Sequence, residues 1–533
     1  MGFATPAFFV YLAGLMLGYF LIPKRYRWVA LLVGSYVYIL LNGWHTALFL
    51  LLASAIAFGA ALAIEREQRR YAERLQKNRS QWPPEEKKAQ KRKTQKRKRA
   101  WLAAALTLIV GMLAALKYAN FGIRNVNAAL AWLHAPPISQ VNWLLPLGIS
   151  FYTLQISGYV IDVYRGKYAA ERRFPRFLLF CSWFPQLLQG PISRFDALAS
   201  QLFEGHDFCW RRAKSGALRM LWGYFKKLVI ADRLAVVVVP LFADGGMADF
   251  NGAYTWLAVI LYSFQIYADF SGGMDIALGI SEIFGVTLAE NFRRPLLAGS
   301  VAEFWQRWHI TLGSWMRDYL FYPLALSRGF NRLGKRLRKR FGPYVAKVAP
   351  ACLASLMVFL CVGVWHGAEW KYFVYGCYHA VFVSSATLLE PFYERVRARL
   401  HIRAQSAWFQ CFRVLRTFGI VAVGRLLSRA DTLSAAANML RRGLGVCRMR
   451  AIWDGSLLAF GLDGANWIAL GLAVALWMAV DMLNERGLVV RERLEKQALP
   501  VRWAVYILGV LVVLVFGVYG AGINTADFIY GQF

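Results

Sequence analysis

The chain has 533 residues, of which 58% are hydrophobic and 17% charged, and its mean hydropathy is +0.38. Soluble domains carry about 25% charged residues, and a soluble chain cannot hide this much apolar surface, so a soluble globular class and intrinsic disorder are both excluded. The 63 Lys and Arg against 30 Asp and Glu give a net charge of +33, which on a membrane protein marks cytoplasmic loops rather than nucleic-acid binding.

Residues 4–23 are apolar, without a basic segment ahead of them or a small-residue cleavage site, and read as a first transmembrane helix rather than a removable leader. Long apolar runs follow at about 28–43, 46–64, 101–119, 141–163, 214–242, 254–284, 348–368, 370–390, 413–428, 466–483 and 501–521. Each approaches the roughly 20 residues a spanning helix needs. Shorter runs at 177–192 and 302–325 are broken by Pro, Gly, His and Arg and read as re-entrant segments. The expectation is an all-α polytopic membrane protein with about 11 full spans.

Basic loops orient it. Lys24, Arg25 and Arg27 follow the first run; residues 65–100 carry 15 Lys/Arg and 5 Glu; residues 328–347 carry 8 Lys/Arg and no acid; Arg395, Arg397, Arg399, Arg403, Arg413 and Arg416 mark a fourth loop. All four belong on the cytoplasmic side, which places the N-terminus outside. The less basic connections Ala119 to Gln140 and Asp244 to Asn251 then fall outside. Residues 65–100 read as a basic cytoplasmic helical hairpin, broken at Pro83-Pro84. The chain thus divides into N-terminal spans (1–64), the hairpin insert (65–100), a core (101–390) and C-terminal spans (391–533).

Polar residues within spans are costly and therefore candidates for function. Of the seven histidines, His45, His134, His206, His379 and His401 lie near span ends or in loops and read as interfacial. His366 ends an apolar helix in Trp365-His366-Gly367-Ala368, where Gly363 and Gly367 permit close backbone approach and Trp365 offers a flat wall. His309 lies in the Trp-dense amphipathic stretch 303–319, near the cytoplasmic face. A third cluster, Gln265, Asp269, Ser271 and Asp275, sits in an otherwise apolar run. Its two carboxylates need cationic partners, for which Arg293, Arg294, Arg307 and Arg317 are near in sequence. The seven cysteines show no CxxC spacing, so no metal site is expected. Two buried histidines suit general-base activation of a hydroxyl that attacks a thioester.

The stretches Leu145–Gln155, Gln189–Arg194, Tyr267–Asp275, Phe304–Leu312, Arg317–Leu320 and Val364–Ala368 occur in one order over about 145–370. In these the sequence resembles the membrane-bound O-acyltransferase superfamily, and within it the bacterial alginate O-acetyltransferase branch. The resemblance implies a ring of tilted helices with re-entrant segments around a central channel. It implies His366 as catalytic histidine in that channel and His309 nearer the cytoplasmic mouth. Arg307, Arg317 and Asp318 would shape a donor funnel, while Trp305, Trp365, Gln265, Asp269, Ser271 and Asp275 would support the channel. Acetyl-CoA or another acyl thioester would be the cytoplasmic donor, with no permanently bound cofactor. An extracytoplasmic SGNH-type partner would then acetylate an exported polysaccharide such as alginate, across the bacterial inner membrane. Two departures bear on the polymer: Leu427-Ser428-Arg429-Ala430 stands where the branch has Phe-Phe-Arg-Ala, and the 65–100 insert is longer and more basic. A transporter or flippase for a lipid-linked glycan is the alternative, and a scaffold that only anchors an extracytoplasmic transferase is a third reading.

Overall fold

The structure, a computed structural model, describes residues 1–78, 80–243, 251–445 and 447–519. The expected outside connection Asp244 to Asn251 therefore falls almost wholly outside the described residues. Among the described residues the elements are helices of α, 3-10 and π type, with one isolated antiparallel bridge, Phe292 to Trp308. An all-helical membrane protein is what the apolar runs require, because a helix satisfies its backbone groups internally where water is absent.

Among the described residues five helices are long and apolar enough to cross a membrane: Trp44–Lys77, Pro84–Trp132, Arg328–His366, Gly464–Glu485 and Leu499–Phe516. A sixth candidate is the pair Trp370–Leu388 and Glu390–Arg399, bent by 61°. The expected total of about 11 is not reached by these. Pro6–Leu21 and Arg27–Leu41 are 16 and 15 residues long, under the length of a straight span. The 214–242 run is interrupted by a π-helical stretch, Phe225–Ala231. The two broken runs behave as their composition requires: Phe174–Ser182 and Phe184–Gln189 are parted at Trp183, and 301–325 is four short pieces.

The chain forms two compact units. The first comprises Met1–Gly216 with Ile280–Ala289. Here Trp44–Lys77 and Pro84–Trp132 each continue without interruption from an apolar segment into the basic one, so residues 65–100 are the polar ends of two long helices. Pro84 starts the second helix at a position where its missing N–H costs nothing. Salt bridges tie this hairpin together and to its surroundings: Arg97 to Glu67 at 3.5 Å and Arg172 to Glu65 at 2.7 Å. The Trp183 indole donates to Ser281 Oγ at 3.2 Å, and Tyr19 meets Phe284 edge-on with ring centroids 5.3 Å apart.

The second unit comprises Ala217–Gly279 with Glu290–Phe533 and holds both histidines singled out above. The helix Gly252–Ile283 passes the residues just before the π-helical stretch at Gly223, where glycine faces glycine. A Cβ at Gly272 would sit 2.9 Å from the Gly223 carbonyl oxygen, and one at Gly223 would sit 2.6 Å from the Gly272 oxygen. Only two missing side chains allow that approach. Gly272→Ala is expected to destabilise the unit by roughly 1–3 kcal/mol, the usual cost of overpacking; thermal unfolding of the detergent-solubilised protein reads this as a lowered Tm.

Candidate active site

His309 and His366 come together through aromatic side chains. His309 is buried at 1% exposure and His366 at 7%. The His309 and Trp365 rings lie 5.8 Å apart, and Trp365 and His366 5.1 Å, all centroid to centroid. Phe270 closes on the His309 ring edge-on at 4.9 Å, and Tyr375 on His366 at 5.9 Å. Trp365, expected as a wall, is the spacer between the two imidazoles.

Each histidine is placed by local backbone geometry. His309 has φ +48°, the left-handed region that L residues rarely adopt, and it separates Val301–Arg307 from Ile310–Met316. The turn is held by Asn291, whose Oδ1 accepts from Thr311 N at 2.9 Å and Thr311 Oγ1 at 2.8 Å and lies 3.3 Å from His309 Nδ1. Backbone bonds fix the same strip: Ile310 N donates to Asn291 O, and Arg293 N to Arg307 O, both at 2.9 Å. This cross-link satisfies buried backbone groups that the break in the helix would otherwise leave unpaired. His366 ends its helix where Gly363 and Gly367 pack against Tyr372: a Cβ at Gly363 would meet the Tyr372 carbonyl oxygen at 2.3 Å, and one at Gly367 the Tyr372 ring at 2.1 Å. The close approach expected of these glycines is present.

Asp269, Ser271 and Asp275 are buried or nearly so, but their partners differ from those expected. Lys227 Nζ bridges Asp269 and Asp232, at 2.8 Å to each. Lys226 Nζ reaches Asp275 at 2.6 Å and donates to Ser271 Oγ at 2.9 Å, and Arg219 joins Asp275 at 2.9 Å. Arg219 also meets Glu290 at 2.6 Å, so three cations and four carboxylates form one cluster in which each buried charge has a partner. The expectation that Arg293, Arg294, Arg307 and Arg317 supply the counter-charges is corrected. Arg307 instead pairs with Glu303 and Glu485, Arg294 with Glu485, and Arg317 with Asp318 at 3.1 Å on a π-helical turn. The two lysines were missed in the sequence; a double charge inside an apolar run is the signal that could have found them. They reach the helix Gly252–Ile283 because the backbones meet at Gly223 and Gly272.

Gln265 is buried on the same helix. Trp305 stacks edge-on against Phe359 and His379, at 5.3 and 5.1 Å. His379 is itself a correction: expected at an interface, it is fully enclosed within Trp370–Leu388. The segment carrying Leu427–Ala430 contributes Arg425, buried, with its guanidinium 4.8 Å over the Trp308 ring and donating to Ser263 O at 2.9 Å. Asp481 accepts from the Tyr267 hydroxyl at 3.0 Å. Asn291, Arg425 and Asp481 were not singled out from sequence; a lone polar residue in a Trp-rich or apolar stretch gave little to distinguish them.

The arrangement is three buried imidazoles, His309, His366 and His379, in an aromatic setting, with a separate charged cluster bracing the neighbouring helix. Among the described residues no group of His, Cys, Asp and Glu is placed to hold a metal ion. A neutral imidazole can take up a proton and return it.

A profile of the MBOAT, membrane-bound O-acyltransferase, family matches residues 169–337. The probable alginate O-acetylase AlgI of Azotobacter vinelandii is 32% identical over 445 residues, 82% of this chain and 77% of that protein. The chain belongs to the membrane-bound O-acyltransferase family. The probable alginate O-acetylase AlgI of Pseudomonas syringae pv. tomato is 34% identical over 339 residues; that match spans 64% of this chain and 59% of the relative's length. The peptidoglycan O-acetyltransferase of Helicobacter pylori is 30% identical over 380 residues, 66% of this chain and 65% of that protein. In this O-acyltransferase the family match stops short of Trp365, His366 and His379.

Proposed function

We propose that this chain, a multi-pass membrane acyltransferase, carries an acetyl or short acyl group from a cytoplasmic thioester across the bacterial inner membrane for O-acetylation of an exported polysaccharide. The observation that carries the reading is the buried pair His309 and His366, spaced by Trp365 among aromatic side chains. His366 acts as general base. It takes the proton of an acceptor hydroxyl as the oxygen attacks the thioester carbonyl; the C–S bond breaks and His366 returns the proton to the leaving sulfur. A thioester is already activated, so positioning and a base of suitable pKa suffice. His309, anchored beside Asn291, orients the reacting groups. Acetyl-CoA is the donor that fits, and the basic 328–347 segment attracts its phosphates. Arg317 and Asp318 stand at the donor entrance, and the Lys226–Lys227 cluster fixes the wall that carries Asp269, Ser271, Asp275 and Gln265.

The named activities of the relatives, an alginate O-acetylase and a peptidoglycan O-acetyltransferase, support a glycan as final acceptor. An extracytoplasmic SGNH-type partner receives the acyl group and passes it on. Sidedness tests the proposal. Radiolabelled acetyl-CoA, which does not cross bilayers, is expected to lose label to acceptor in inside-out vesicles and not in sealed right-side-out vesicles. Equal transfer in both orientations would overturn the cytoplasmic donor.

A further inference from the structure

His379 is fully enclosed, and neither of its ring nitrogens has a hydrogen-bond partner among the described residues. The indole Nε1 of Trp305 is likewise enclosed and unpartnered. The two rings meet edge-on with centroids 5.1 Å apart. Buried polar groups are nearly always paired, and a pair left open in one place calls for an explanation. Position supplies it: Tyr375 lies 4.6 Å from the His379 ring and 5.9 Å from the His366 ring. The open nitrogens are thus one aromatic ring removed from the imidazole that serves as base. Gly424 packs against Nε2, where a Cβ would stand 2.6 Å away, so Nδ1 is the ring nitrogen left to face a ligand.

We infer that Trp305 Nε1 and His379 form an oxygen-binding subsite that receives the carbonyl oxygen of the acyl donor. This rests on the acyl-transfer reading above. An indole N–H only donates, so the occupant must accept. The acceptor hydroxyl directs its proton to His366, and a thioester sulfur is a weak acceptor. The carbonyl oxygen has two lone pairs and gains negative charge as the hydroxyl oxygen bonds to its carbon. The C=O π electrons then rest on an oxygen held by two N–H groups. Collapse re-forms C=O, breaks C–S, and the sulfur leaves with the proton from His366. Preset donors of this kind bind the developing charge more strongly than the ground state.

The test uses the full chain in inside-out vesicles with labelled acetyl-CoA, comparing wild type, Trp305→Phe, His379→Leu, His379→Gln and His366→Ala. Trp305→Phe and His379→Leu are each expected to lower kcat about 100-fold, with the donor KM changed less than about threefold, while His379→Gln, which keeps a donor, recovers most of the rate. Infrared difference spectra of ¹³C-carbonyl acetyl-CoA bound to His366→Ala are expected to show a lowered carbonyl frequency that returns toward the solution value when His379→Leu is added. Normal kcat in Trp305→Phe or His379→Leu, or a carbonyl band indifferent to His379, would overturn the subsite. An active His366→Ala would instead overturn the base, and wild-type vesicles that transfer nothing would overturn the acyl-transfer reading and the subsite with it.

Discussion

His366→Ala is expected to lower acyl transfer by roughly 10²- to 10⁴-fold, the range for losing a general base, while the protein still inserts and unfolds at a temperature close to wild type. The side chain ends a helix instead of standing in its middle, and Gly363 and Gly367 seat that end against Tyr372. Removing the ring gives up its contacts with Trp365 and Tyr375 but leaves that seat in place. His309→Ala is a contrast: the ring sits at a left-handed turn beside Asn291, so its loss disturbs the turn as well as the rate. Transfer rates and Tm measured on both variants separate the two cases. Near-normal turnover by His366→Ala would remove it from the reaction.

Lys227→Met is expected to be the most damaging substitution for folding. It strands Asp232 and Asp269, both of which Lys227 touches at 2.8 Å. Breaking a buried ion pair by deleting one partner costs about 3–5 kcal/mol, a large share of the total stability of a protein. The prediction has a second half. Replacing the two carboxylates by Asn in the same chain removes the uncompensated charge, so Lys227→Met/Asp232→Asn/Asp269→Asn is expected to recover folded protein. Yield of monodisperse protein after detergent extraction is the readout. A Lys227→Met single variant as stable as wild type would show that the cluster does not brace the helix.

The two essential features of the site differ in how visible they were in the sequence. His309 and His366 stand out because histidine is rare here and each sits among tryptophans and glycines. The close approach expected at Gly363 and Gly367 is present for the same reason: small residues on an apolar helix have few other uses. The partners of Asp269 and Asp275 were assigned by nearness along the chain, which fails for helices that meet across 42 and 49 residues. Lys226 and Lys227 are far in sequence but adjacent in space, because Gly223 and Gly272 let two backbones touch. The span count shows the same limit. Hydropathy does not register the π-helical stretch Phe225–Ala231, which divides a run that composition alone reads as continuous. His379 was set aside as interfacial because its position near the end of an apolar run carried no sign of the aromatic rings that enclose it.

The central claim is that this chain itself removes an acyl group from a thioester by means of His366. The most direct measurement is single-turnover release of free CoA thiol from acetyl-CoA by the purified chain in lipid nanodiscs, with an excess of hydroxyl acceptor, for wild type and His366→Ala. The account predicts a burst of thiol from wild type and none above background from His366→Ala. Thiol release that is equal in the two, or absent from both while a labelled glycan crosses the bilayer, would contradict it and favour transport of a lipid-linked glycan.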